Sequence, residues 1–354
     1  MTGPEAASDA YDEGPVAALR RVAFLLERGR EDTYKVKAFR GAAAALLPLD
    51  PDEVVRHVEQ GTLSSIPGVG SSSAAVIADA VRGVRPERLV RLEAEHGGPL
   101  AAGGQDLLAR LRGDLHSHSD WSDGGSPIEE MAFTALELGR EYQVLTDHSP
   151  RLKVARGLSA ERLARQLDVV DAINDHLHTS AGTGFTLLKG IEVDILDDGS
   201  LDQTDELLAR LDVRVASVHS KLKMDAPAMT RRMVAAVRNP LVNVLGNCTG
   251  RLVTGGRGKR PESEFDASAV FEACAESGTA VEINSRPERR DPPTRLLELA
   301  RDLGCLFAIY TDAHAPGQLD FMAYGAERAE AAGIDPDRIV TTWSRDRLLE
   351  WAAP

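Results

Sequence analysis

From Val16 to about Glu95 apolar residues recur every three or four positions, in the runs VAALRRVAFLLERG, YKVKAFRGAAAALL, DPDEVVRHVEQG, SSSAAVIADAVRG and PERLVRLEAEHG. Gly or Pro stands at most of their ends, as helix punctuation does. The pattern predicts a small all-helical domain over 15–96, preceded by a polar, acidic and disordered tail over 1–14. HGGPLAAGGQ interrupts it and predicts a flexible linker over 97–112. From Gly113 the rhythm changes. Seven short apolar runs alternate with helical stretches: DLHSH (114–118), YQVLTDH (142–148), FTLLKGIEVDIL (185–196), VRVASVH (213–219), LVNVLGN (241–247), TAVEIN (279–284) and CLFAIYTDAH (305–314). Such alternation means parallel strands joined by crossover helices. Nearly every run ends in His, Asp, Glu or Asn, and in a closed α/β barrel that edge carries the active site. Seven units predict a distorted seven-stranded (β/α)7 TIM-like barrel over 113–354. Periodicity does not show closure, so an open doubly wound sheet is the alternative.

A chain of 354 residues has room for these two domains, and 43% hydrophobic with 27% charged residues is ordinary for a globular protein. The net charge of −14 argues against coating nucleic acid by bulk electrostatics. Charge is unevenly spread, however: from Arg20 to Arg40 seven bases stand against three acids. Cys248, Cys274 and Cys305 have neither disulfide-framework density nor zinc-ribbon spacing, which fits a reducing compartment. No run approaches the roughly 18 apolar residues of a membrane span, and the first residues lack an apolar leader core. The expectation is a cytoplasmic protein without a membrane partner; protein partners are left unassigned.

Five of the nine histidines, His116, His118, His148, His219 and His314, fall at the predicted strand ends, joined there by Asp123, Glu192 and Asp312. Imidazoles and carboxylates crowded on one rim need cations, and the mixture suits Zn²⁺, Mn²⁺ or Fe²⁺. His116 and His118 alternate along a strand and so point to one side. His176 and His178 end an apparent helix, where i and i+2 side chains diverge, and are not expected to be ligands. His57 and His96 are expected to be solvated. Lys221, Arg251 and Arg286, with Arg156 a weaker candidate, stand where they would orient an anionic ester.

DLHSHSDWSDG, LTDHS, GIEVDIL, ASVHSKL and YTDAH resemble the successive metal motifs of the PHP (polymerase and histidinol phosphatase) superfamily, and are especially similar to the PHP domain of bacterial family-X DNA polymerases. The resemblance runs through 113–354. It implies two or three divalent ions: one held by His116, His118, Glu192 and Asp312, a second shared through Glu192 with His219, and a third held by Asp123, His148 and His314. One motif departs. Where relatives read His-Pro-Thr-Gly-Arg, this chain has Asn247-Cys248-Thr249-Gly250-Arg251, so Asn247 stands at a ligand position of the second ion with a weaker, neutral donor. Cys248, its neighbour on a strand, points to the other face.

SSIPGVGSS (64–72) reads as the turn of a helix-hairpin-helix module, whose backbone N–H groups can take a DNA phosphate without reading sequence. Gly68, Gly70 and Ser71 on the turn, with Lys35, Lys37 and Arg40, are the candidate DNA contacts. The stretch resembles the N-terminal domain of family-X polymerases, but no lysine lies between Ser71 and Ala80, so lyase activity is not expected. No polymerase palm separates the two modules. The combined reading is a metal-dependent phosphoesterase acting on DNA 3′ ends in repair, as a 3′-5′ exonuclease or 3′-phosphatase, with Glu192 and Asp312 at the reacting centre and 15–96 as a non-specific DNA anchor. The alternatives are a small-molecule phosphatase of histidinol-phosphate or nucleotide type, and a DNA-binding repair scaffold whose catalysis Asn247 has weakened.

Overall fold

The computed structural model describes residues 10–179, 182–255 and 258–354. The chain falls into two compact units, divided between Pro99 and Leu100. In the first, helices α1 (Gly14–Arg28), α2 (Thr33–Leu46), α3 (Pro51–Glu59), α4 (Ser71–Val81) and α5 (Glu87–His96) form an all-helical bundle. Asp32 and Asp50 cap α2 and α3 by accepting the backbone N–H two residues on. The buried face of α1 carries Leu19, Val22, Ala23, Leu25 and Leu26, packed with Phe39, Ile77, Leu89 and Leu92 from the other helices. Of the expected tail, residues 1–9 lie outside the described residues. The remainder is ordered: Ala10 bridges Val84, and Tyr11 N donates to Gly83 O at 2.8 Å with its ring buried. His96 is not solvated as expected, because its ring packs on Gly29.

The second unit is a parallel barrel. Its strands are β1 (Gly113–Ser117), β2 (Tyr142–Leu145), β3 (Thr186–Asp194), β4 (Val213–Ser217), β5 (Val244–Gly246), β6 (Ala280–Asn284) and β7 (Phe307–Tyr310), hydrogen-bonded in sequence order. Each predicted run supplies one strand. No ladder joins β7 to β1. The seam is closed by a single parallel bridge between Ser117 and Ala313, by His118 N donating to Ala313 O at 2.8 Å, and by Asp114, which accepts from Thr311 N and Oγ1 across the gap. The barrel is therefore nearly closed, which removes the open doubly wound alternative. Around it run α6 (Gln105–Arg110), α7 (Ile128–Glu137), α8 (Ala160–Thr179), α9 (Asp205–Leu208), α10 (Ala226–Val237), α11 (Ala267–Ser277), α12 (Thr294–Asp302), α13 (Met322–Ala331) and α14 (Arg345–Ala352).

The linker predicted over 97–112 is largely absorbed into this unit. Leu107 and Leu111 enter the barrel's apolar core. Gly104, at φ 77°, lies so close to α13 that a Cβ would sit 2.4 Å from Glu327 N. A Gly-rich composition here reflects close packing rather than flexibility.

The interior explains why only one end of the barrel is open to chemistry. Leu115, Val144, Leu188, Val213, Val215, Val244 and Ala308 fill it, and Trp343, Leu348 and Ala352 pack on the same cluster from the N-terminal end. Tyr142 Oη donates to Trp343 O, and Arg214 and Asn243 both donate to Ala352 O, so the C-terminal segment plugs that end. The polar strand ends all emerge at the other.

Candidate metal centre

Each strand delivers its polar residues to the C-terminal rim, and the backbone turns sharply at two of them. Asn247 and Asp312 adopt φ 48° and 52°, the left-handed region that Asn and Asp tolerate better than most residues. His116 and His118 leave β1 on one side, and their Nε2 atoms lie 3.0 Å apart. Both face the same carboxylates: Glu192 Oε2 is 3.2 Å from His116 and 3.6 Å from His118, and Asp312 Oδ1 is 3.3 Å from His118. His148 Nδ1 lies 2.9 Å from Glu192 Oε2, and His219 Nε2 lies 3.1 Å from Glu192 Oε1. On the far side Asp123 Oδ1 is 3.4 Å from His148 and 3.5 Å from His314. Three overlapping donor groups result: His116, His118 and Glu192; His148, Glu192 and His219; and His118, Asp123, His148 and His314. All eight residues predicted as His, Asp or Glu ligands converge here, although Asp312 stands beside these groups rather than inside one. His176 and His178 are elsewhere, with His178 bonded to Phe185 O.

The donors suit cations. His148 Nδ1 and His219 Nε2 are buried and within 3.1 Å of Glu192, yet neither makes a hydrogen bond there. The imidazole nitrogens and carboxylate oxygens of each group lie within 4.8 Å of one another, as donor atoms around an ion do. Imidazole with carboxylate is the donor set of Zn²⁺, Mn²⁺ and Fe²⁺. Electrostatics agree. Burial, reinforced by His314 and His148, pushes His118 down to about 3, so it is a neutral donor. Burial also works against charging His148, but Glu192 and Asp123 outweigh it and raise His148 to about 10. Against the cost of its own burial, Glu192 is held well below the ordinary carboxylate range by His116, His219 and His148. The acids at this site stay ionised, and positive charge is what balances them.

Asn247 lies at this centre. Its Nδ2 donates to Glu192 Oε1 at 2.8 Å, the oxygen that also faces His219, and its buried Oδ1 has no partner. Cys248 points away into the apolar core, as expected, and burial pushes its thiol well up.

The predicted basic residues fare differently. Arg286 reaches the site, with Nη1 2.9 Å from His314 Nδ1 and 3.2 Å from Asp312 O. Lys221 does not join the cluster: it is exposed and paired with Asp197. Arg251 is held by the carbonyls of Arg289 and Arg290 and by Glu262 rather than by the donor cluster. Arg156 likewise clamps the carbonyls of Asp120 and Ser122. In the helical unit Arg40 is no free DNA contact, because Nε and Nη2 grip buried Glu27 at 3.1 and 2.8 Å. Lys35 pairs with Glu31 at 2.7 Å, a weak exposed pair that a phosphate could displace. Lys37, Gly68, Gly70 and Ser71 are exposed, with Gly68 at φ 93° on the turn before α4.

Several contributors escaped the sequence reading. Asp194, two residues past Glu192 on the same side of β3, accepts from both the backbone N and Nδ1 of His219, at 3.1 and 2.9 Å, and so aims Nε2 at the centre. Asp147 accepts from Ser119, Ser122 and Gln166, fixing the loop that carries Asp123. Arg289 Nε lies 3.0 Å from Asp312 Oδ2; against the effect of burial it leads the groups that hold Asp312 well below its ordinary range. GIEVD carried a usable signal, since two carboxylates at i and i+2 of a strand share a face. PERRD carried none, because its reach depends on the loop's path.

A nearly closed parallel barrel with a buried histidine–carboxylate cluster at its C-terminal rim defines a metallohydrolase-like domain. The comparisons make that specific. The PHP domain profile matches residues 114–286, so the barrel carries a PHP domain. The chain is 38% identical over 237 residues to "DNA polymerase/3'-5' exonuclease PolX" of Bacillus subtilis, a match spanning 67% of this chain and 40% of that one. A "Probable phosphatase" of Syntrophotalea carbinolica is 28% identical over 240 residues, covering 64% of this chain and 90% of it. Among solved structures, the histidinol phosphate phosphatase of Lactococcus lactis, described as complexed with Zn, L-histidinol and phosphate, matches 64% of this chain and 95% of its own at 17% identity and a TM-score of 0.45.

Proposed function

We propose that this chain is a metal-dependent phosphoesterase that hydrolyses DNA 3′ ends, with two or three divalent ions held by His116, His118, Asp123, His148, Glu192, His219, Asp312 and His314. The observation that carries the hydrolase reading is the set of buried imidazole and carboxylate atoms that converge to within 4.8 Å of one another in three overlapping groups, with His148 Nδ1 and His219 Nε2 left without a hydrogen-bond partner. Ions held by these residues would supply Lewis-acid polarisation of a phosphoryl oxygen and lower the pKa of water. The chain's own residues do the rest. Glu192 ties the donor groups together, Asp194 fixes the His219 ring, and Arg286 places a cation beside His314 where an ester oxygen gains charge. No side-chain nucleophile is needed.

The DNA part of the reading rests on the 38% identity to a relative named as a 3′-5′ exonuclease, on the exposed Gly68 and Gly70 of the turn before α4 with Ser71 at the start of that helix, and on the exposed Lys35 and Lys37 of α2. We read 15–96 as a non-specific anchor. A small-molecule phosphatase is the second reading, favoured by the phosphatase-named relative that the chain covers along most of its length. The test is metal analysis of the purified protein with a panel of labelled DNA ends and generic phosphomonoesters. Hydrolysis of 3′ ends that weakens steeply with salt, and that falls when 1–96 is deleted, supports the anchor. Turnover of phosphomonoesters alone, unaffected by that deletion, replaces it with the second reading.

A further inference from the structure

We infer that the loop 149–158 is a substrate arm in which Lys153 and Val154 contact the nucleotide next to the scissile 3′-terminal one; this rests on the DNA-end reading above. The loop leaves β2 directly after His148 and is bolted to the site at its base. Ser149 N donates to Glu192 O at 3.1 Å, Asp194 N donates to Ser149 Oγ at 2.9 Å, and Leu158 N returns to His148 O at 2.7 Å. Gly157 is pressed onto Ser149, where a Cβ would lie 1.9 Å from its carbonyl oxygen. Arg156, at φ 57°, carries its guanidinium to the carbonyls of Asp120 and Ser122, beside Asp123. Arg162 secures Arg156 O at 2.7 Å and Trp121 O. The loop is thus fixed to three segments that carry candidate ligands.

What this scaffold presents is an apolar side chain and a cation with nothing to hold them. Val154 is 93% exposed, the most exposed large apolar residue among those described. A single exposed apolar residue is unremarkable on a surface. This one stands on an arm anchored to His148 and Glu192. Lys153 beside it is exposed and has no acidic partner among the described residues. PRLKVAR (150–156) holds three bases and no acid in a chain of net charge −14; Arg151 faces Asp194 and Asp197 and Arg156 is held by backbone carbonyls, which leaves Lys153 as the cation the arm offers a polyanion. An apolar contact beside a cation suits a base face and its phosphate, the sequence-tolerant combination that holds single strands. A small phosphomonoester bound at the ions has no group to offer it.

The test uses the full chain with Val154→Cys carrying a thiol-directed photo-crosslinker. The three native cysteines are buried, so labelling is selective. The probe is a single-stranded oligonucleotide whose 3′-terminal linkage is a phosphorothioate, and the control is the same label at Glu350→Cys, an exposed position on α14 at the plugged end. We expect crosslinks concentrated in the last three nucleotides, about tenfold above the control. Lys153→Glu should raise KM for the oligonucleotide about tenfold with kcat little changed. Crosslinks equal to the control, or spread evenly along the strand, overturn the arm while DNA-end hydrolysis by the unaltered protein would still stand. Absence of that hydrolysis would instead overturn the reading of function.

Discussion

Glu27 in the helical unit and Glu192 in the barrel are both buried glutamates, and their surroundings solve the same electrostatic problem in opposite ways. Glu27 is closed by Arg40, whose planar fork takes both of its oxygens. Glu192 is surrounded by His116, His118, His148 and His219, whose nitrogens approach it at 2.9 to 3.6 Å while facing one another as well. The first arrangement is complete within the protein and holds a fold together. The second is complete only with cations between the donors. Burial and proximity alone therefore do not mark a functional site; what marks it is donor atoms that crowd together without satisfying each other.

The contrast is broken most strongly at His116. His116→Ala should lower hydrolysis at least about 100-fold while circular dichroism and Tm in the presence of metal stay close to the parent, because a missing ligand spoils the centre more than the packing. Parental turnover by the variant at matched metal loading would sink the site assignment. The helical unit should respond the other way. Arg40→Ala removes the fork that grips the buried Glu27 carboxylate and should destabilise that unit by about 3 kcal/mol in denaturant unfolding, with metal content unchanged. A loss confined to DNA affinity would mean that Arg40 is a contact after all.

Smaller effects sharpen the comparison within the barrel. Asp194→Asn keeps the shape but weakens the acceptor that orients His219, and should lower affinity for an ion at that position by roughly 10- to 100-fold. Metal titration followed by calorimetry reads this without any assay of activity. Asn247→His should tighten the same position by about tenfold and raise the hydrolytic rate with it. Its Nδ2 already lies 2.8 Å from Glu192, and a histidine is among the residues that tolerate the left-handed backbone there. Metal content rising without rate would favour the repair-scaffold reading, and neither rising would mean that position 247 does not serve the ion.

Much of this was legible in the chain. Seven apolar runs with polar C-terminal ends became seven strands, because a parallel sheet buried on both faces must be apolar until it reaches solvent. The convergent set of imidazoles and carboxylates was legible for the same reason: His and Asp at strand ends have few structural uses, and their order along the chain resembled known motifs. The basic residues were not. Charge and position near the rim suggested Lys221, Arg251 and Arg286 equally, yet only Arg286 reaches the cluster, while Arg289, from the same loop, holds Asp312. A long flexible side chain has many destinations within its reach, and which one it takes depends on carbonyls and carboxylates brought close by other segments.

The sequence by itself therefore determined the strand count, the helical unit and the identity of the convergent donors, since these follow from local periodicity and residue chemistry. Tertiary structure decided the rest. It closed the β7–β1 seam through Asp114 and Thr311, drew Leu107 and Leu111 of the supposed linker into the core, and turned Arg40 inward onto Glu27. Each of these depends on a partner far away in sequence or on where a long side chain finds its countercharge, and no local pattern encodes the position of that partner.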